Sequence, residues 1–236
     1  MQNRYFGDIG DYFKYGLLRA LGQGRTLGVA WYLYPDEGHN EDGKHIAYLD
    51  DAAKWRGYDP ELFDQLQERV KQGRRNVREI ENSGLLGRGL YAYDPLDFDH
   101  KDYREKAAWR QRWFDATCAC LQKADIVFAD PDNGLCLDDT FRASRRKDWK
   151  RLPVSEAIKL AQNSRPAILY HHNSRFPGGH DKEVAHWIDH LPGEVMAIRW
   201  RAYSPRTFFV LNSDDDIKGK LEKVAVHWAP HTILHR

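Results

Sequence analysis

The residues best placed to do chemistry follow a short apolar run near the middle of the chain. Residues 126–129 are all apolar, and the run ends in Asp130, Pro131, Asp132 and Asn133. Such a run predicts a buried strand, and open α/β sheets bind ligands at the carboxyl ends of their parallel strands. We therefore predict a site here, with Asp130, Asp132 and Asn133 as candidate catalytic residues. An ordinary turn built from Asx, Pro and Gly is the alternative.

A second polar cluster follows the next apolar run along the chain. His171 and His172 come directly after residues 167–170, and Arg175 follows shortly afterwards. If the two strands are neighbours in a parallel sheet, these side chains lie near Asp130 and are candidates to bind substrate. The alternative is that one histidine packs in the core while the other donates to a turn carbonyl.

A basic loop lies between these two clusters, and residues 141–151 contain six Lys and Arg side chains. Within it, Arg145, Arg146 and Lys147 are candidates to hold the phosphate backbone of a nucleic acid. A solvated charged loop is the alternative, because Trp149 is the only aromatic residue among these cations that is available to stack on a base.

The overall composition limits the class of protein. The 236 residues are enough for one sizeable α/β domain, and a net charge of +1 gives no general attraction to nucleic acid or membranes. Cys118, Cys120 and Cys136 have neither a metal-knuckle spacing nor the pattern of a disulfide framework. Because the start is unlike a signal peptide and no long apolar window occurs, we expect a reduced, cytoplasmic protein that does not enter membranes.

The remaining pattern predicts the elements that position these residues. Helices are predicted over 11–21, 102–123 and 154–162 and in a segment ending at 191, and strands at 27–34, 90–93, 126–129, 167–170, 194–203 and 207–211. A charged helical insertion is predicted near 52–88, with Asp59 as a helix cap and Pro60 at the first helical position. This order predicts a single α/β domain over 1–236, with a doubly wound, mostly parallel, Rossmann-like sheet whose last strand is antiparallel.

This order of elements resembles the class I methyltransferase fold, which binds S-adenosylmethionine. Residues 7–15 read Gly-Asp-Ile-Gly-Asp-Tyr-Phe-Lys-Tyr and resemble the opening Gly-Asn-His-Ala-Asp-Val-Leu-Lys-His of the RlmJ-like ribosomal-RNA adenine methyltransferases. Gly7, Asp11 and Lys14 match at their relative positions. The Asp-Pro-Asp-Asn of residues 130–133 is similar to the Asp-Pro-Pro-Tyr motif of that family. The resemblance therefore combines an architecture that covers most of the chain with two short motifs.

The resemblance implies roles for residues of both motifs. Lys14 would contact the carboxylate of S-adenosylmethionine, and Asp130 would accept a hydrogen bond from an exocyclic amine and steer its lone pair toward the methyl donor. The implied cofactor-binding residues are Gly7, Asp8, Lys14, Asp36 and Gly38. Asp132 and Asn133 stand where the family has a proline and a stacking aromatic, so we expect these polar groups to determine which substrate is accepted.

Together, these patterns predict a methyltransferase-like enzyme that uses S-adenosylmethionine on an amine of a nucleic acid or nucleotide. Two alternatives remain open. A metal-dependent phosphoesterase or nuclease would use an acidic cluster joined by His171 or His172, namely Asp8, Asp11, Asp36, Asp130 and Asp132. The other alternative is a catalytically silent binding module that keeps only the methyltransferase scaffold. The spacing contains no metal-ligand signature, so no metal ligands are assigned.

Overall fold

The computed structural model describes residues 1–37, 43, 45–96, 102 and 104–236. Its strands are β1 (Leu27–Ala30), β2 (Gly89–Ala92), β3 (Ile126–Ala129), β4 (Leu135–Cys136), β5 (Leu152–Pro153), β6 (Ala167–His172), β7 (Val195–Trp200), β8 (Arg206–Leu211) and β9 (Thr232–His235). Its α-helices are α1 (Ile9–Gly22), α2 (Ala52–Trp55), α3 (Pro60–Lys71), α4 (Arg78–Glu81), α5 (Lys106–Cys120), α6 (Arg146–Trp149), α7 (Val154–Leu160), α8 (His180–His190) and α9 (Asp215–His227). Short 3-10 helices occupy Asn3–Tyr5, Ala47–Asp50 and Arg56–Tyr58.

Seven strands form one mixed sheet in the order β2-β1-β3-β6-β8-β7-β9, and β4 pairs separately with β5. The first four neighbours in this order run parallel. β8 is antiparallel between β6 and β7, and β9 is antiparallel along the outer side of β7. The predicted α/β class, the parallel start and the antiparallel strand at 207–211 are confirmed. The expectation of a mostly parallel sheet with this strand as the last one is wrong, because all three pairings beyond β6 are antiparallel and the chain continues through α9 and adds β9.

Alternating side chains of β1 and the residues after it divide the core into two layers. Val29 and Trp31 belong to the cluster that contains α1 and α9, whereas Ala30 and Tyr32 belong to the cluster that contains α5 and α7. The backbone of Tyr32 has a φ of 45°, which lies outside the strand region. β1 therefore ends at Ala30, well short of the predicted limit at residue 34.

The first helix is fixed at its start and along its buried length. Asp8 caps α1 by accepting a hydrogen bond from the Asp11 backbone nitrogen at 2.8 Å. Phe13 stacks on Trp200 of β7 with ring centres 4.8 Å apart, which packs the helix on the sheet. None of the described helices is long and apolar enough to cross a membrane.

The stretch predicted as an insertion contains α2, α3 and α4, which lie between β1 and β2 in the chain. Asp59 caps α3 by accepting from the Leu62 backbone nitrogen at 3.1 Å, and Pro60 is at the first helical position. The predicted helix start is confirmed at these two residues, because the cap and the proline are both local signals.

A buried polar network fixes the loop that follows β6. The Glu183 carboxylate accepts from the Asn173 side chain at 3.0 Å and from the Ser174 backbone nitrogen at 2.9 Å. His171 Nε2 lies 3.2 Å from the same carboxylate, and its Nδ1 accepts from the Leu135 backbone nitrogen at 3.0 Å. Burial lowers the pKa of His171, against the effect of Glu183, so the ring is neutral near pH 7. The network therefore links β6, α8 and the chain that follows Asp130.

We expect Glu183→Gln to lower the free energy of unfolding and to weaken the dependence of that free energy on pH. Burial raises the pKa of Glu183, but hydrogen bonds from His171, Ser174 and Asn173 outweigh it and lower the pKa to about 2 from 4.5. The stabilising contribution of Glu183 is thus complete above pH 4.5 and is lost as the pH falls toward 2. This contribution is at most about 3 kcal/mol, because solvent screens part of the charge.

Urea titrations across this pH range measure the free energy of unfolding of the native chain and the variant. Glu105→Gln, at an exposed position, is the matched control. The same slope of stability against pH in the native chain and in Glu183→Gln would contradict the assigned role of the network.

Candidate active site at the carboxyl edge of the sheet

The two segments that carry the sequence motifs meet at the carboxyl edge of the sheet. Asp130 directly follows β3, and Lys14 lies in α1, 116 positions earlier in the chain. The Lys14 Nζ is 2.8 Å from Asp130 Oδ2 and 2.6 Å from Asp11 Oδ1. All three side chains are almost completely buried. The fold therefore assembles a buried triad of one ammonium and two carboxylates.

Burial and charge oppose each other within this triad. Burial raises the pKa of Asp11 to about 6, while Lys14 opposes the rise and Asp8 adds to it. Burial disfavours the charged form of Lys14, but Asp11 and Asp130 hold its pKa above the ordinary value. The ammonium of Lys14 is directed to both carboxylates and to the sulfur of Met1 at 3.6 Å. These three partners occupy the hydrogen-bond donors of the ammonium, so a ligand would have to displace one of them.

A cavity of about 170 Å³ opens beside the triad, where β3 and β6 end and β8 begins. Residues of both motifs line it together with side chains of β6 and β8, including Asp8, Asp11, Lys14, Asp130, Asp132, Asn133, Tyr170, His172 and Arg206. The topology thus brings the whole candidate catalytic set into one cavity with Asp8, Lys14 and His172.

A larger cavity of about 990 Å³ lies at the opposite edge of the sheet, between the end of α1, residues 84–88 and α9. Among the candidate catalytic, cofactor-binding and substrate-binding residues that the structure describes, none lines it. Two of its arginines are paired, since Arg19 is 2.9 Å from Asp59 and Arg25 is 2.7 Å from Asp214. We therefore assign the candidate site to the smaller cavity.

Asp130 and Asn133 present free polar groups to this cavity. Asp130 Oδ2 accepts from Lys14, whereas its Oδ1 has no hydrogen-bond donor among the described residues. Asn133 is exposed, and its side-chain nitrogen is 3.4 Å from the carbonyl oxygen of Lys147. One oxygen of Asp130 is thus held in place, while the other can accept a proton from a ligand.

Asp132 is part of an ionic network that closes one wall of the cavity. Its Oδ2 accepts from Gln2 at 2.8 Å and lies 3.5 Å from the Lys150 ammonium. Burial raises its pKa, but the positive charge of the Met1 amino group, the Gln2 hydrogen bond and Lys150 bring it below the usual value. Gln2 and Lys150 both contact Glu37 as well. Sequence reasoning missed Gln2, because nothing local indicates its distant partners.

His171 and His172 are the last two residues of β6, which extends past the predicted end at residue 170, and they separate because alternate side chains of a strand point to opposite faces. His172 is exposed and lines the cavity, with its Nδ1 3.5 Å from the Tyr170 hydroxyl. His171 is buried on the other face against Glu183, as the alternative of one packed histidine expects. Arg175 is exposed and does not line the cavity.

The remaining cofactor-binding candidates are distributed around the start of the chain. Gly7 has a φ of 80°, and a Cβ there would lie 2.5 Å from Val70, so the turn and its packing both require glycine. Asp36 is exposed, and its Oδ1 accepts from the Arg4 backbone nitrogen at 3.1 Å. Gly38 lies outside the described residues. Of this group, Asp8 and Lys14 are the two that line the cavity.

The basic loop presents three exposed cations around the start of α6, Arg145, Arg146 and Lys147. Arg146 Nε donates to the Tyr34 hydroxyl at 2.6 Å. Trp149 is buried and stacks on Trp109 with ring centres 4.8 Å apart, so it is not available to a base. The loop therefore offers positive charge, but Trp149 does not offer a ring on which a base could stack.

Arg206 is a cavity residue that sequence reasoning missed. It is the first residue of β8 and pairs with His172 at the end of β6. An antiparallel strand begins at the edge where its parallel neighbours end, so its first side chain lies at the carboxyl edge of the sheet. The Ser204-Pro205 turn before a predicted antiparallel strand was a signal that could have identified this position.

The acidic residues of the site do not form a metal centre. Within the described ranges, no three His, Cys, Asp or Glu side chains are arranged to hold a metal ion. Asp11 and Asp130 share the Lys14 ammonium, and Asp36 is bonded to backbone. The metal-dependent phosphoesterase alternative has no supporting geometry in these residues.

We expect Lys14→Met to lower the free energy of unfolding by about 3–5 kcal/mol, because it leaves two buried carboxylates without their cation. The measurement is a urea titration at neutral pH. The double variant Lys14→Met with Asp11→Asn removes one of the stranded charges and is the matched control. Equal destabilisation in the single and double variants would contradict the assigned role of the triad.

No known family model matches the chain, and no curated protein sequence matches it significantly. Fold alone does not determine function, since one architecture supports many chemistries. The function must therefore be inferred from the geometry and charge of the cavity.

Proposed function

We propose that this chain is a class I methyltransferase-like enzyme that uses S-adenosylmethionine to methylate an exocyclic amine of a nucleic acid or nucleotide. The observation that carries the proposal is the meeting of two motif segments at one cavity, through the 2.8 Å contact between Lys14 and Asp130. The parallel strands around β1 and the antiparallel β8 agree with the doubly wound sheet that the resemblance implies. Ligands of such sheets bind at this edge.

The charges that line the cavity suit the reactive end of S-adenosylmethionine. Asp8 and Asp130 place carboxylates where a cationic sulfonium centre would be stabilised. A cavity of about 170 Å³ accommodates only this part of the cofactor, since sites for ligands of such size occupy roughly 300–1,000 Å³. When bound, S-adenosylmethionine supplies an electrophilic methyl group.

Asp130 would act on the attacking amine. Its Oδ1 would accept an N–H of the amine, which directs the nitrogen lone pair toward the methyl carbon. This oxygen would also take the proton that the amine loses on methylation and pass it to solvent. Lys14 holds the other oxygen and so fixes the orientation of the carboxylate.

The substrate would be recognised by polar groups at the rim of the cavity. Asn133 is exposed there and presents an amide that can pair with the edge of a base. The exposed Arg145 and Lys147 lie on the adjoining loop, where they would contact phosphates of a polynucleotide. His172 adds an imidazole at the same rim.

We expect Asp130→Asn to reduce methyl transfer about a hundredfold or more, because the variant keeps the shape of the side chain but loses the proton acceptor. The assay follows tritiated methyl groups from S-adenosylmethionine into purified RNA, DNA and nucleotide pools. Asp139→Asn, at an exposed position after the same strand, is the matched control. Unchanged transfer in Asp130→Asn, with native unfolding behaviour, would disprove the assigned chemistry.

A further inference from the structure

Arg206 is a buried cation whose hydrogen bonding is incomplete. Its side chain is 9% exposed and lines the cavity. Its Nε donates to the Ser204 carbonyl at 3.2 Å, and its Nη1 is 3.8 Å from Asp8 Oδ1, beyond hydrogen-bond distance. Its Nη2 has no hydrogen-bond acceptor among the described residues. Arg206 lines the cavity, so these remaining donors are available to an oxygen ligand there.

The surroundings of Arg206 favour such a ligand. A Cβ on Gly10 would lie 1.8 Å from Arg206 Nη1, so the guanidinium rests directly on the first turn of α1. Backbone N–H groups at the start of a helix attract negative charge, and α1 is long enough to have a substantial dipole. The ring of Tyr170 is 5.9 Å from the guanidinium and limits its movement.

The other cation of the cavity wall has closer acidic partners than Arg206, whose ion pair with Asp8 is 3.8 Å long. Lys14 lies between Asp11 and Asp130, and Lys150, just behind the wall, is paired with Glu37. Among the Lys and Arg side chains that the structure describes in the cavity wall, Arg206 is therefore the one that retains donors for a ligand.

We propose that Arg206 binds an anionic group of the ligand, a carboxylate or a phosphate, through its paired Nη donors. The inference rests on the proposed function for the identity of the ligand, since the carboxylate would belong to the methyl donor and the phosphate to a nucleotide substrate. Arg206 thus has the anion-binding role that the resemblance implied for Lys14.

The test compares two pairs of ligands, and in each pair only one member carries the anionic group. S-adenosylhomocysteine carries a carboxylate that 5′-methylthioadenosine lacks, and adenosine 5′-monophosphate carries a phosphate that adenosine lacks. Calorimetric titrations measure the affinity of each for the native chain, Arg206→Met and Arg206→Lys. We expect Arg206→Met to weaken binding of the anionic member of one pair by about tenfold to a hundredfold and to leave its neutral member unchanged. The affected pair identifies the source of the anion.

Equal affinities for native chain and Arg206→Met, or equal losses for both members of each pair, would overturn the proposal. If Arg206→Met does not fold, Arg206→Lys carries the test, because lysine keeps the charge but loses the paired geometry and should weaken only the anionic member.

If the native chain binds none of the four ligands, the proposed function fails and the anion site is tested alone. Inorganic phosphate and L-methionine are then titrated while the thermal midpoint of unfolding is followed. A rise in the native chain that is absent in Arg206→Met supports the site, and no rise in either protein overturns it.

Discussion

A single buried ammonium joins the first helix to a central strand of the sheet, and the candidate site depends on it. Lys14 contacts Asp11 within α1 and Asp130 at the end of β3. A buried charge without its partner is strongly destabilising, so α1 cannot move away from the sheet edge without a large loss of stability. The same constraint places Asp8 and Gly10 beside Arg206 and thereby forms one wall of the cavity.

A second polar network holds the end of β6 and the segment that follows Asp130. His171 and Glu183 hold the chain after β6, and the Leu135 backbone bond to His171 ties the segment after Asp130 to that strand. Rigid support of this kind is what a positioned proton acceptor requires. Neighbouring residues of one strand thus serve the core and the cavity, since His171 is packed while His172 lines the cavity.

Local signals predicted most of the longer elements up to β8 but not α9 or β9, whereas the site required long-range contacts. Asp59 and Pro60 begin α3 as expected, because capping depends on adjacent residues. Asp130 lies at a sheet edge because its strand is a short apolar run. The partners of Lys14 could not be predicted, because pairing over 116 positions depends on the order of strands. The burial of Trp149 could not be predicted from the charged residues around it, since its stacking partner Trp109 belongs to another helix.

The most direct test of the account is a calorimetric titration of S-adenosylmethionine into the native chain, carried out at two temperatures so that a vanishing binding enthalpy cannot conceal binding. We predict saturable binding at one site per chain, because one cavity brings both motif segments together. The absence of binding heat at both temperatures, up to the solubility limit of the ligand, would contradict the assignment of this cavity to a methyl donor.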